Sequence, residues 1–156
     1  LDADGLFQFK NNYRELNKRK FPLIITPHFG EFSNILGRKV DALINNFPEI
    51  MTSFMSEFKH IALVKQVPSC TFNKKNVTIN ISGNQGLATA GTGDVLAGIM
   101  ASFIAQGIDI DKAVELAAFV HGKSSDFILK DKGMRGQVSF DLLTAIPKVI
   151  MQYENI

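Results

Sequence analysis

Cysteine is almost absent: Cys70 is the only one in 156 residues. That excludes an internal disulfide and a zinc site built on several thiolates, and it fits a reducing cytosol. Apolar runs of membrane-spanning length are also lacking, and the opening LDADGLFQFKNNYR does not have the basic-then-apolar order of a signal peptide, so the sequence reads as cytoplasmic. A large excess of charge of either sign is lacking. The formal net charge is +2 with scattered lysines, and no basic helix or aromatic-interleaved stripe makes a case for nucleic acid. Repeats, low-complexity tracts and an interdomain linker are missing. With 46% hydrophobic and 21% charged residues, the composition is that of one folded domain with a real core. LDADGL at Leu1–Leu6 reads as the end of a buried strand with no strand before it, which is expected of a piece of a longer chain.

What is present centres on Asn80 to Gly107, NISGNQGLATAGTGDVLAGIMASFIAQG. Gly91-Thr92-Gly93-Asp94 stands where a glycine-rich turn gives way to a helix, marked by Val95, Leu96, Ile99, Met100, Phe103 and Ile104 at helical spacing. The first turn of a helix carries amides without intrahelical acceptors and the positive end of the dipole, and glycines let an anion approach. Gly91, Thr92 and Gly93 therefore form a candidate anion hole. A carboxylate at Asp94 can take a proton from a hydroxyl beside a bound phosphate, as phosphoryl transfer requires. The bland alternative is a helix-favouring acid in a first turn, with glycines serving tight turns. Gly83, Gly86 and Gly98 extend the glycine density beyond what one turn needs and favour the functional reading.

Strands and helices alternate elsewhere, which argues for an α/β fold. Asp2 and Asp4 either follow a strand at the edge where α/β sheets place ligands or simply make a turn and cap before a helical stretch over 11–19. Phe21–Thr26 reads as a buried strand stopped by Pro27. TPHFGE follows, then a short helix SNILG ending at Gly37. In that loop His28 can contact a ligand and Glu31 a hydrated metal, or His28 can bond backbone while Glu31 serves as a first-turn acid. A helix is expected over 47–58, with Ile50, Phe54, Met55 and Phe58 on one face, and a strand over 60–66. Lys65 at its end can neutralise a phosphate, although a surface lysine is the commoner case. Short strands at 70–72 and 77–80 flank a polar turn at 73–76.

After Gly107, Asp109 is the expected N-cap of a helix running towards Ile128, inside which His121 is expected to pack through a hydrogen bond rather than to catalyse. A solvated basic loop is expected over 130–136, where Arg135 is a weaker phosphate candidate. Ser139 is expected to cap a last helix that Pro147 bends or breaks.

LDADGL, TPHFGE, LVKQVPS at Leu63–Ser69, GNQGLATAGTGDVLAG at Gly83–Gly98 and VHG at Val120–Gly122 together resemble the ADP/ATP-dependent NAD(P)H-hydrate dehydratases. These have a ribokinase-like fold, a three-layer α/β/α sandwich, and form the carboxyl-terminal domain of bifunctional nicotinamide-nucleotide repair enzymes. The resemblance implies that residues 1–156 are the C-terminal portion of one such domain. It implies Asp94 as catalytic residue and substrate contact, His28 as a contact of the hydrated nicotinamide nucleotide, and Lys65, Gln66, Val67, Pro68, Ser69 and Gly93 as nucleotide contacts. Glu31 falls where related kinases keep an acid acting on magnesium through water. Phe29, Gln66 and Ala90 stand where the family usually has proline, glycine and glycine, and Gln66 puts a side chain at a place of close nucleotide approach.

The implied activity is an ADP- or ATP-dependent, Mg2+-assisted dehydration of hydrated NADH or NADPH, a metabolite-repair reaction. The implied partners are that substrate, an adenine nucleotide, further copies in a homo-oligomer, and a fused amino-terminal epimerase domain. A hydroxyethylthiazole kinase-like small-molecule kinase is the rival enzyme reading, against which TPHFGE and LDADGL weigh. A nucleotide-binding fragment without activity is the rival from another class.

Overall fold

The computed structural model describes residues 1–154. The chain forms two compact units, Leu1–Ile79 and Asn80–Ile156.

Four strands, β1 (Ile24–Ile25), β2 (Ile61–Val64), β3 (Ser69–Phe72) and β4 (Val77–Asn80), lie in the order β1-β2-β3-β4. β1 and β2 are parallel with Ile24 opposite Ile61, whereas β2 and β3 are antiparallel with Val64 opposite Cys70. All four residues of IALV in β2 are buried, as a continuous apolar run on a doubly covered strand should be. The strand expected over 21–26 is much shorter, because Phe21 is 75% exposed and Pro22 brings no ladder donor. Pairing nevertheless continues past Pro27. Its carbonyl accepts the Lys65 amide at 2.7 Å and a bridge joins His28 to Lys65, so the sheet itself sets these two residues side by side. Leu1 lies along β1, its carbonyl accepting the Thr26 amide at 3.1 Å. The 73–76 turn closes on the Asn73 side chain, which accepts from the Lys75 and Asn76 amides.

The helices of this unit are α1 (Asp4–Phe7), α2 (Phe29–Leu36), α3 (Val40–Asn45) and α4 (Phe47–Glu57). The helical stretch expected over 11–19 is a 3-10 segment, Tyr13–Lys18, because Asn11 sits at φ +59 and breaks the approach. α2 begins at Phe29, ahead of the expected SNILG, and α3 is additional to the elements expected. α4 matches its expectation. Ile50 and Phe54 are buried on its face with Phe58 just beyond, and the Phe54 ring lies 5.0 Å from Tyr13, 5.1 Å from Phe32 and 4.7 Å from Phe58. Burying such aromatic side chains contributes about 1.5–3 kcal/mol each before entropic costs, which makes this cluster the anchor of the unit. Burial and the neighbouring Glu57 push the Tyr13 hydroxyl above its ordinary range, while Tyr13 and Arg14 hold the Glu57 carboxyl below its own.

The second unit is three packed helices, α5 (Thr92–Ala105), α6 (Ile110–Lys132) and α7 (Ser139–Glu154). On α5, Leu96, Ile99 and Met100 are buried as the spacing predicts. Asp109 caps α6, accepting from the Asp111 and Lys112 amides. α6 runs into the loop expected over 130–136, leaving an exposed turn at 133–136. Ser139 opens α7, but Asp141 does the capping: its carboxylate accepts the Val138 amide at 3.0 Å and Lys132 Nζ at 2.6 Å. Lys132 and that amide hold the Asp141 carboxyl below its usual range. α7 passes Pro147 without a break. The carbonyl that Pro147 leaves unpaired is that of Leu143, a residue 48% exposed, where water can serve it. Among the described residues, no helix is long and apolar enough to cross a membrane.

Candidate active site

In the first unit, the end of β1 and the start of α2 build a polar cluster. His28 is the N-cap of α2: its Nδ1 accepts from the Gly30 amide at 3.0 Å and the Glu31 amide at 3.2 Å. Glu31 reciprocates, Oε2 accepting the His28 amide at 2.8 Å. This closed capping box is what starts the helix at Phe29. Because Nδ1 is an acceptor, the proton of the neutral ring resides on Nε2, which lies 3.3 Å from Glu31 Oε1 on a side chain 57% exposed. His28 therefore presents a fixed N–H donor outward.

Lys65, half-buried, sets its ammonium 2.6 Å from Asp2 Oδ1 and 3.7 Å from Glu31 Oε2. The parallel pairing of β1 with β2 brings Lys65 to the His28 loop, and LDADGL brings Asp2. Formally one cation faces two carboxylates, leaving one negative charge. Asp2 thus pairs with Lys65 while its carbonyl accepts the Gly5 amide at 3.0 Å in the turn that leads into α1, which Asp4 opens. Beyond Lys65 the segment turns outward: Val67 and Pro68 are exposed, Ser69 begins β3, and the Gln66 amide donates to Cys70 Sγ at 3.4 Å. Burial pushes the Cys70 thiol above its ordinary value, so it is a packing residue rather than a nucleophile.

In the second unit the glycine-rich stretch is an ordered loop feeding α5. Gly91 is the N-cap at φ +85, a left-handed conformation, and a Cβ there would meet Ser139 Oγ at 2.8 Å. Thr92 is buried, its hydroxyl 2.7 Å from the Leu87 carbonyl and its amide bonded to the Thr89 carbonyl. Among the described residues, the Gly93 and Asp94 amides have no backbone acceptor outside the helix, and Val95 is the first whose amide returns to Gly91. The Asp94 side chain is exposed in that same turn. Two unpaired amides at a dipole end are able to receive an anion, and an exposed carboxylate stands in the same turn. His121 behaves as expected: 8% exposed, its Nε2 is 2.9 Å from the Thr92 carbonyl.

Sequence reasoning missed the support beneath the loop. Asp126 accepts the Gly83 amide at 2.9 Å and Asn84 Nδ2 at 3.1 Å, and Asn84 Oδ1 accepts the Gly86 amide at 2.9 Å. Gln137 donates to the Ser125 carbonyl at 3.2 Å and lies 3.4 Å from Asn84 Oδ1. The available signal was the polar row His121, Ser125 and Asp126 beside the small residues Ala117, Ala118 and Gly122 of α6.

The architecture defines a class first. The fold is ribokinase-like: an Enterococcus faecalis protein of the ribokinase-like superfamily aligns over 97% of this chain and 51% of its own, with TM-score 0.75 and 24% identity. Within that class the chain belongs to the carbohydrate-kinase family described as NAD(P)H-hydrate dehydratase, whose profile matches residues 1–148. It is 34% identical to the bifunctional NAD(P)H-hydrate repair enzyme Nnr of Moorella thermoacetica over 99% of this chain and 29% of that protein. It is 33% identical to the ADP-dependent (S)-NAD(P)H-hydrate dehydratase of Neisseria meningitidis over 86% of this chain and 46% of the relative. The ADP/ATP-dependent NAD(P)H-hydrate dehydratase of Bacillus subtilis, co-crystallized with ATP/Mg2+, aligns with TM-score 0.81 and 26% identity over 87% of this chain and 50% of its own. The chain thus spans about three-tenths of the bifunctional relative and about half of the solved ones. Fold and family are those that the motifs implied.

Proposed function

We propose that the protein containing this chain restores hydrated NADH or NADPH by an ADP- or ATP-dependent dehydration, with Asp94 as the catalytic base. The observation that carries the reading is the start of α5, where unpaired Gly93 and Asp94 amides adjoin an exposed carboxylate in a chain of this family. The nicotinamide hydrate carries a hydroxyl, a poor leaving group. Asp94 takes the hydroxyl proton as that oxygen accepts the nucleotide's terminal phosphoryl group, whose phosphoanhydride bond breaks to release the nucleotide one phosphate shorter. The Gly93 and Asp94 amides hold the phosphoryl charge, the Thr92 amide of the expected anion hole being taken by the Thr89 carbonyl. Phosphate then departs with the electron pair of the C–O bond, a proton is lost from the adjacent carbon, and the ring double bond returns.

His28 acts through its outward Nε2–H on the hydrated nucleotide, its other nitrogen being occupied by the cap. Lys65, Gln66, Val67, Pro68 and Ser69 are the adenine-nucleotide contacts. Lys65 reaches a phosphate only by sharing its ammonium with Asp2. The donors fit a hydrated magnesium ion rather than a protein cage: among the described residues no three His, Cys, Asp or Glu side chains gather for a metal, and Glu31 already accepts the His28 amide. Glu31 would hold one water of such an ion, and the ion supplies charge neutralisation at the phosphates when bound.

We read the 156 residues as the C-terminal portion of one dehydratase domain, in keeping with the coverage of the solved relatives. Homo-oligomeric assembly, a fused epimerase domain and a cytoplasmic setting complete the proposal, and the bifunctional relatives support the fusion.

Hydrated NADH and NADPH, each offered with ADP and with ATP, should be converted with release of phosphate, while the thiazole alcohol should not be phosphorylated. Asp94→Asn should lower kcat by at least about 100-fold with melting temperature and nucleotide affinity preserved. A variant keeping near-normal rate removes Asp94 from the mechanism, and turnover of the thiazole alcohol alone overturns the dehydratase reading.

A further inference from the structure

The loop from Gly83 to Thr92 is held against α6 at both ends. At its start Asp126 binds two loop donors, one with each carboxylate oxygen, Gly83 N–H at 2.9 Å and Asn84 Nδ2 at 3.1 Å. At its end His121 holds the Thr92 carbonyl at 2.9 Å. Between them Asn84, 8% exposed, turns its own oxygen to the Gly86 amide, and the Thr89 hydroxyl lies 3.0 Å from the Gly86 carbonyl. Gln137, 4% exposed, closes the network against Asn84 and the wholly buried Ser125, whose hydroxyl donates to Gln137 Oε1 at 2.7 Å. Among the described residues no buried side-chain polar atom lacks a partner. A satisfied buried network of this kind permits one arrangement and penalises others, because flipping the Asn84 amide sets donor against donor and flipping that of Gln137 sets acceptor against acceptor. None of these side chains sits in the exposed first turn of α5, so they act through the loop that leads into it.

We propose that Asp126 and Asn84 are positioning residues for the phosphoryl-transfer loop, their polarity fixed as acceptor on α6 and amide on the loop. The proposal rests on the dehydratase reading of α5. Its chemistry gives a reciprocal test. Asp126→Asn alone sets an amide NH2 against Asn84 Nδ2, and Asn84→Asp alone sets carboxylate against carboxylate. The double exchange, N84D with D126N, restores donor to acceptor. The amide oxygen introduced on α6 takes the Gly83 N–H, its NH2 donates to the carboxylate introduced on the loop, and that carboxylate still accepts the Gly86 amide.

In the full-length protein, each single variant should lower kcat/KM for the nucleotide by about tenfold or more, and the double variant should return it to within about threefold. Amide hydrogen exchange at Gly83 and Gly86, read without substrate, should accelerate in the singles and revert in the double. Singles with unchanged exchange overturn the proposal even in an active enzyme. A double variant as impaired, or as unfolded, as the singles also overturns it. Absence of turnover in the wild type with exchange behaving as stated overturns instead the dehydratase reading.

Discussion

Gly122 lies in mid-helix on α6, where a Cβ would sit 2.3 Å from Ser82 Oγ and 2.6 Å from both the carbonyl carbon and oxygen of Ser82. Carbon contacts become comfortable at about 3.5 Å or more, so Gly122→Ala must move Ser82 by roughly 1 Å. The Ser82 hydroxyl could rotate, at the expense of its contacts with Asn80 Oδ1 at 2.7 Å and the Phe119 carbonyl at 3.1 Å. The carbonyl is backbone and cannot rotate away. Overpacking of this kind costs about 2–3 kcal/mol, loosening the hydroxyl about 1 more, and the helix propensity of alanine returns about 1. The net loss is about 2–3 kcal/mol, which for a domain of this size lowers the melting temperature by roughly 4–12 °C. Gly98, in the interior of α5, is the control, because a Cβ there meets nothing within 4 Å. Gly98→Ala should raise stability by about 1 kcal/mol, or roughly 2–4 °C. Scanning calorimetry on the two variants reads both signs. A Gly122→Ala protein melting at or above the wild type refutes the close-approach argument.

Two further outcomes follow from side chains already placed. Asp141 is held below its ordinary carboxylate value by Lys132 and the Val138 amide, so its contribution is present in full above the unfolded value and lost as pH falls through the lower folded one. Denaturation across the range from neutral to strongly acid pH should show the wild-type margin over Asp141→Asn constant near neutrality and vanishing in acid, and a pH-independent margin would contradict the assignment. His28→Ala removes the α2 cap and should cost about 1 kcal/mol, whereas His28→Asn keeps a capping oxygen and should preserve the melting temperature while raising KM for the hydrated nucleotide; equal KM in both His28→Asn and wild type would leave His28 with the cap alone.

The second unit is the more legible. The period of Leu96, Ile99 and Met100, the Asp109 cap, the packing role of His121 and the Asn73 turn of the first unit are each as expected, and all but the His121 contact are set by neighbours within a few residues. Expectation and structure part where two local signals compete. Ser139 is a good capping residue, but Asp141 two positions on has Lys132 to pair with and takes the cap. His28 and Glu31 fit either ligand groups or ordinary loop and first-turn residues; their reciprocal bonds form the cap that starts α2 early, and the His28 side chain stays exposed.

The sequence by itself determined most of the elements, the family and the turn from which α5 begins, because helical period, caps and glycine turns are short-range. Only the tertiary structure decided that Asp2 holds Lys65 across 63 residues, that Gln137 reaches Asn84 across 53 and that Asp126 grips Gly83 across 43. The physical reason is that a buried hydrogen bond depends on which backbones are brought within about 3 Å, and no residue carries that information until the sheet register and the helix packing have been chosen.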